Sequence, residues 1–94
     1  MPTSKGKRAP DIITALRHRG LGDQLKARAE EAHCTAVELV GLSRHAHINR
    51  ARALLWLDMI ALGMSAAAIG ALFGRTKGTV YRVTARAAER QGAA

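Results

Sequence analysis

A chain of 94 residues is one domain with room for a modest core, and its 15 Lys and Arg against 7 Asp and Glu leave a net charge of +8, which favours a polyanionic partner. The single cysteine, Cys34, excludes an intramolecular disulfide framework and suits a reducing cytoplasm. No paired-carboxylate, Ser/His/Asp, Cys/His or metal-ligand spacing is recognisable, so neither an enzyme nor a cofactor or metal is expected; His18, His33, His45 and His47 read as satisfied or solvated.

Met1 to Pro10 carries Lys5, Lys7 and Arg8 among Gly, Ser and Pro without an apolar period, which predicts a disordered basic arm over residues 1–10. Such an arm can follow a DNA backbone or minor groove, or serve only to solubilise. The helical domain then spans 11–91. Asp11, after Pro10, is placed to cap a short helix from Ile12 to about Arg19 with Ile12, Ile13 and Leu16 inward, and Gly20 and Gly22 break it. Asp23 is placed to cap a second helix to about His33, with Leu25, Ala29 and Ala32 as its apolar stripe. Thr35-Ala-Val-Glu38 has the spacing of a capping box and opens a third helix through Val40 to Gly41, sending Val37, Leu39 and Val40 into the core.

From Leu42 to His47 the chain reads as a basic connector leading into a long helix from about Ile48 to Leu62. Ile48, Arg52, Leu55, Met59 and Leu62 share one stripe and Leu54, Leu57 and Ala61 another, so this helix belongs in the middle of a bundle. The longest apolar run, Leu54 to Met64, is too short to span a bilayer and contains Asp58; for the positive charge an anionic membrane surface ranks behind nucleic acid, and no membrane partner is expected. Trp56 reads as core, with an exposed partner-binding patch as the alternative. Arg44, Arg50 and Arg52 form a basic cluster suited to a stretch of DNA backbone.

The densest signal runs from Ser65 to Val83. Ser65 is a good helix cap; Ile69, Leu72 and Phe73 fall at i, i+3 and i+4 on one apolar face. Gly70 permits the close approach of a second helix, and Gly74 suits a left-handed helix end. Thr76 can cap the next helix, to about Arg90. Val80 and Val83 turn inward there, and Lys77, Gly78, Tyr81, Arg82 and Arg86 outward. No acidic residue occurs between Asp58 and Glu89. Two helices joined by a short glycine-containing turn, the second with a cationic outer face, are the pattern of a helix-turn-helix whose recognition helix enters the DNA major groove, here at about 65–90. The fold class expected is all-α, a compact bundle of about six helices.

Several pieces, in order, carry a resemblance: Thr35-Ala-Val-Glu-Leu-Val, Ser43-Arg44, Ile48, Ala51-Arg52, Leu57, Gly63-Met-Ser65, Ile69-Gly70, Phe73-Gly74-Arg75 and Thr79-Val80. From about Leu25 to Ala88 the chain resembles the C-terminal DNA-binding domain of the bacterial replication initiator DnaA and its small stand-alone relatives. That resemblance implies an all-helical domain in which Arg44 enters the minor groove, while Thr76, Lys77, Gly78 and Thr79 face bases and phosphates in the major groove. The family pattern has Asp-His-Ser/Thr-Thr where this chain has Thr76-Lys77-Gly78-Thr79, so a different DNA sequence is implied. No Gly-x-x-x-x-Gly-Lys phosphate loop is present, so initiator-type nucleotide hydrolysis is not implied. Residues 66–83 also resemble the helix-turn-helix of DNA invertases and resolvases, which puts Arg82 among the base contacts.

The function expected is sequence-specific binding of double-stranded DNA by a small cytoplasmic, nucleoid-associated transcriptional regulator of bacterial or phage type. Arg44, Arg50, Arg52, Arg75 and Arg86 would hold phosphates, and Lys77, Thr79, Tyr81 and Arg82 would read the groove. RNA polymerase or another transcription or replication protein is the further partner considered, with a homodimer on DNA. The alternatives are a replication or recombination accessory protein and a helical protein-interaction module.

Overall fold

The structure, a computed structural model, describes residues 8–41 and 45–92. Within them the chain forms six helices and no strand: α1 (Ala9–His18), α2 (Gly22–Glu31), α3 (Ala36–Val40), α4 (Ala46–Ala61), α5 (Ala66–Phe73) and α6 (Lys77–Gly92). The fold is an all-α bundle. Lys5, Lys7 and Arg44 lie outside the described residues.

α3, α5 and α6 start where a side-chain oxygen meets a first-turn backbone donor. α3 begins at a capping box, with Glu38 N donating to Thr35 Oγ1 at 3.1 Å and Thr35 N to Glu38 Oε1 at 2.9 Å. The Glu38 carboxyl accepts from Thr35 N and also from the Thr35 hydroxyl at 3.2 Å, and these two bonds, the backbone one first, hold it below its ordinary range. The first two helices start differently from the sequence expectation. Asp11 and Asp23 lie inside the first turns of α1 and α2, and neither Arg8 nor Leu21, the residues at the cap positions, makes a side-chain cap. Pro10 sits in the first turn of α1, where its missing N–H removes no bond, and the Asp11 carboxylate faces the positive end of the helix. The entry to α2 is fixed by apolar burial: Gly20, at φ 80°, reverses the chain and Leu21 drops to 1% exposure.

α4 is the central element, packed against α2, α3, α5 and α6. Ile48, Leu55 and Met59 are buried along it, and Trp56 is core, its ring meeting Phe73 of α5 edge-on at 5.5 Å between centroids. The Trp56 indole Nε1 is buried without a hydrogen-bond partner. Arg28 of α2 grips Asp58 of α4 with a two-pronged fork, Nε to Oδ2 at 2.9 Å and a terminal nitrogen to Oδ1 at 3.0 Å.

Three residues expected on buried stripes are outside the core: Val37, Leu62 and Ala61, the last residue of α4. Val37 is 52% exposed, because Ala36, Leu39 and Val40, at i, i+3 and i+4, make the inward stripe of α3 and leave Val37 off it. Leu62 is 61% exposed because α4 ends at Ala61 and Gly63, at φ 100°, turns the chain away.

Candidate nucleic-acid interface

Ser65 caps α5, accepting from Ala68 N at 3.1 Å, and Ile69, Leu72 and Phe73 are buried along its inner face. Gly74 closes the helix in the left-handed conformation at φ 71°. What Gly70 admits is the turn itself, not the body of α6. A Cβ there would stand 2.5 Å from the Arg75 carbonyl oxygen, and Arg75 N donates to Gly70 O at 2.8 Å. Thr76 caps α6, accepting from Thr79 N at 3.1 Å while donating to Thr79 Oγ1 at 2.9 Å. The turn between the two helices is therefore pinned at both ends.

α6 buries Val80, Thr84 and Ala87, with Val83 half-buried beside them. Thr84 is a polar member of that stripe that sequence reasoning passed over; its hydroxyl donates to Val80 O at 2.7 Å and so enters the core satisfied. The opposite face carries Lys77, Gly78, Tyr81, Arg82 and Arg86, all exposed, with Tyr81 at 59%. Thr76 is exposed and Thr79 half-buried. Arg75, half-buried, turns one guanidinium nitrogen back to Phe73 O at 3.2 Å.

The basic cluster at the start of α4 divides. Arg50 is exposed, whereas Arg52 is 5% exposed and turned inward. Its Nε donates to Leu39 O at 2.7 Å, with further bonds to Asn49 Oδ1 at 2.8 Å and Glu38 O at 3.4 Å. A helix of five residues ends with carbonyls that have no partner of their own, and Arg52 supplies donors and positive charge at that end of α3. The assignment of Arg52 to a DNA phosphate is accordingly corrected: its guanidinium is used inside the protein. Burial, and secondarily the Arg75 charge, pull the Arg52 pKa below its ordinary value.

Between α4 and α6 runs an open groove of about 710 Å³. One wall is Ala46, Asn49, Arg50, Ala53 and Leu54; the other is Thr79, Arg82, Val83, Arg86, Ala87 and Arg90. The groove brings Arg50 to the same cleft as Arg82 and Arg86 and adds Arg90, which the sequence reading did not select. The signal for Arg90 was present in the i, i+4, i+8 series Arg82, Arg86, Arg90. None of these four arginines is engaged in a hydrogen bond or ion pair with a described residue.

Elsewhere the chemistry is sparse. Cys34 is half-buried, and burial, followed by the Glu38 carboxylate, pushes its thiol pKa up, away from a reactive thiolate. Among the described residues no group of three or more His, Cys, Asp and Glu is placed to hold a metal ion, and no helix is long and apolar enough to cross a membrane. In comparisons with known proteins, no family model, curated protein or solved structure matches this chain.

Proposed function

We propose that α5 and α6 act as a helix-turn-helix and that the protein binds double-stranded DNA sequence-specifically, with α6 as the recognition helix. The observation that carries this reading is the outer face of α6: Lys77, Gly78, Tyr81, Arg82 and Arg86 are exposed opposite the buried Val80, Thr84 and Ala87, directly after a turn pinned by Gly70 and Thr76. Lys77, Thr79, Tyr81 and Arg82 read bases; Arg50, Arg75 and Arg86 hold phosphates, with Arg44 in the minor groove by its resemblance to the DnaA domain. The lack of acidic residues between Asp58 and Glu89 favours the approach of a polyanion to this face. A small regulator of transcription acting at the nucleoid fits these parts, as does an accessory role in replication or recombination.

The test is selection of binding sites from a random duplex library, repeated with Arg82→Lys. Arginine at the middle of the recognition helix reaches guanine O6 and N7 in a two-pronged fork worth roughly 1–3 kcal/mol of discrimination, and lysine lacks that fork. Arg82→Lys keeps most non-specific affinity and loses preference at one base pair. Identical sequence logos would show that Arg82 does not read bases, and no enriched sequence for the natural chain would overturn the function.

A further inference from the structure

The α4–α6 groove has a composition that DNA contact alone does not call for. Its floor is aliphatic, from Ala53 and Leu54 on one side and Val83 and Ala87 on the other, while Arg50 stands on one rim and Arg82, Arg86 and Arg90 on the opposite one. A phosphodiester strand brings charge but little apolar surface to fill such a floor. Arg90 lies thirteen positions beyond Lys77, about 20 Å along the axis. In helix-turn-helix complexes it is the N-terminal residues of the recognition helix that reach base edges.

We propose that this groove docks an acidic amphipathic helix of a partner protein. Residues four apart on a helix are separated by about 6 Å along the axis, so Arg82, Arg86 and Arg90 present three cations at the repeat at which Glu or Asp recurs along one face of a second helix. A helix lying along the groove sets those carboxylates against the arginine forks and its neighbouring apolar residues onto Ala53, Leu54, Val83 and Ala87, which is helix-in-groove recognition with a charged rim. No carboxylate lines the groove to compete for the arginines, and they have no partner among the described residues. The surface goes beyond the DNA reading and intersects it at Arg50, Thr79, Arg82 and Arg86. A partner helix seated there occupies cations that the duplex needs, so the acidic helix and DNA exclude one another.

The probe is a synthetic helical peptide with Glu at i, i+4 and i+8 and Leu on the adjoining stripe, set against a peptide of the same composition with the Glu residues scattered. Binding to the full chain is read by fluorescence anisotropy and mapped by amide chemical shifts. The patterned peptide binds at least about tenfold more tightly than the scattered one, shifts the amides that border the groove, and displaces any bound duplex. Arg90→Glu weakens the patterned peptide by about tenfold, and a peptide with Lys in place of the facing Glu restores binding. Arg90 stands one turn from Arg86, so the charge reversal also weakens duplex binding without regard to sequence, but the selected DNA sequence is unchanged in that variant and the charge-swapped peptide does not restore DNA affinity. Equal affinity for the two peptides, shifts confined to another face, or no restoration by the charge swap would overturn the proposal. Peptide binding in a chain that selects no DNA sequence would leave this proposal standing and remove the DNA reading, so the two fail separately.

Discussion

A guanidinium taken out of water has to satisfy its donors inside the protein, and Arg52 does so by closing the open end of α3. Arg52→Met keeps the apolar stem and removes the donors, leaving the Leu39 carbonyl without its bond; the expected loss is roughly 1–3 kcal/mol of stability, read from urea denaturation. The same variant leaves the salt dependence of DNA binding unchanged, while Arg50→Ala lowers its slope by about one. An Arg52 variant that altered the slope and not the stability would return this residue to the interface. Helical periodicity placed Arg52 on the inward stripe of α4 with Ile48, Leu55 and Met59, which was legible from spacing. Its partners were not, since the carbonyls it meets belong to α3, whose position beside α4 is a matter of tertiary packing. Trp56 was legible as core for the simpler reason that a large ring on an element apolar around much of its girth has few exposed directions.

Among the elements, those whose first donors are met by a short side-chain oxygen could be read directly. Thr35, Ser65 and Thr76 each accept from a backbone N–H three residues on, and α3, α5 and α6 begin where that rule puts them. α1 and α2 have no such side chain, so a capping rule moved their starts onto the nearest aspartates, whereas burial of Leu21 and the tolerance of the first turn for Pro10 set the true ends. The capping box of α3 also predicts a pH response. Because Glu38 titrates lower in the folded chain than in the unfolded one, its contribution is present at neutral pH and is lost as pH falls through the acid range of that carboxyl. Glu38→Gln keeps an acceptor for the Thr35 N–H and removes the titration, so its melting temperature falls less between neutral and acid pH than that of the natural chain. Equal falls would show that the box carries no charge-dependent part. In the α5–α6 turn, Gly70→Ala forces a Cβ against the Arg75 carbonyl. The expected loss is roughly 1–3 kcal/mol in thermal or chemical melts, against only about 1 kcal/mol returned by the better helix propensity of alanine. A melting temperature at or above that of the natural chain would mean that the turn shifts freely.

For the whole molecule, one recognition helix on a small domain makes few base contacts, so useful specificity calls for a second copy on a repeated half-site or for an added contact from residues 1–7, which precede α1 and its N-cap Arg8. Light scattering of the DNA complex, with and without those residues, separates the cases; a monomer with full affinity after truncation would rule out both. The α4–α6 groove belongs to this scale as well. Arg50 and Arg90 are far apart in sequence, and only the packing of two helices makes them rims of one cleft. That same packing gives the molecule an optical property. Trp56 is the only tryptophan, 2% exposed and edge-on to Phe73, with its indole Nε1 buried in the core. Its fluorescence therefore emits toward the blue and reports the joint between α4 and α5. It should stay steady when a ligand settles on the arginine surface of a rigid bundle, and shift to the red only when that joint opens.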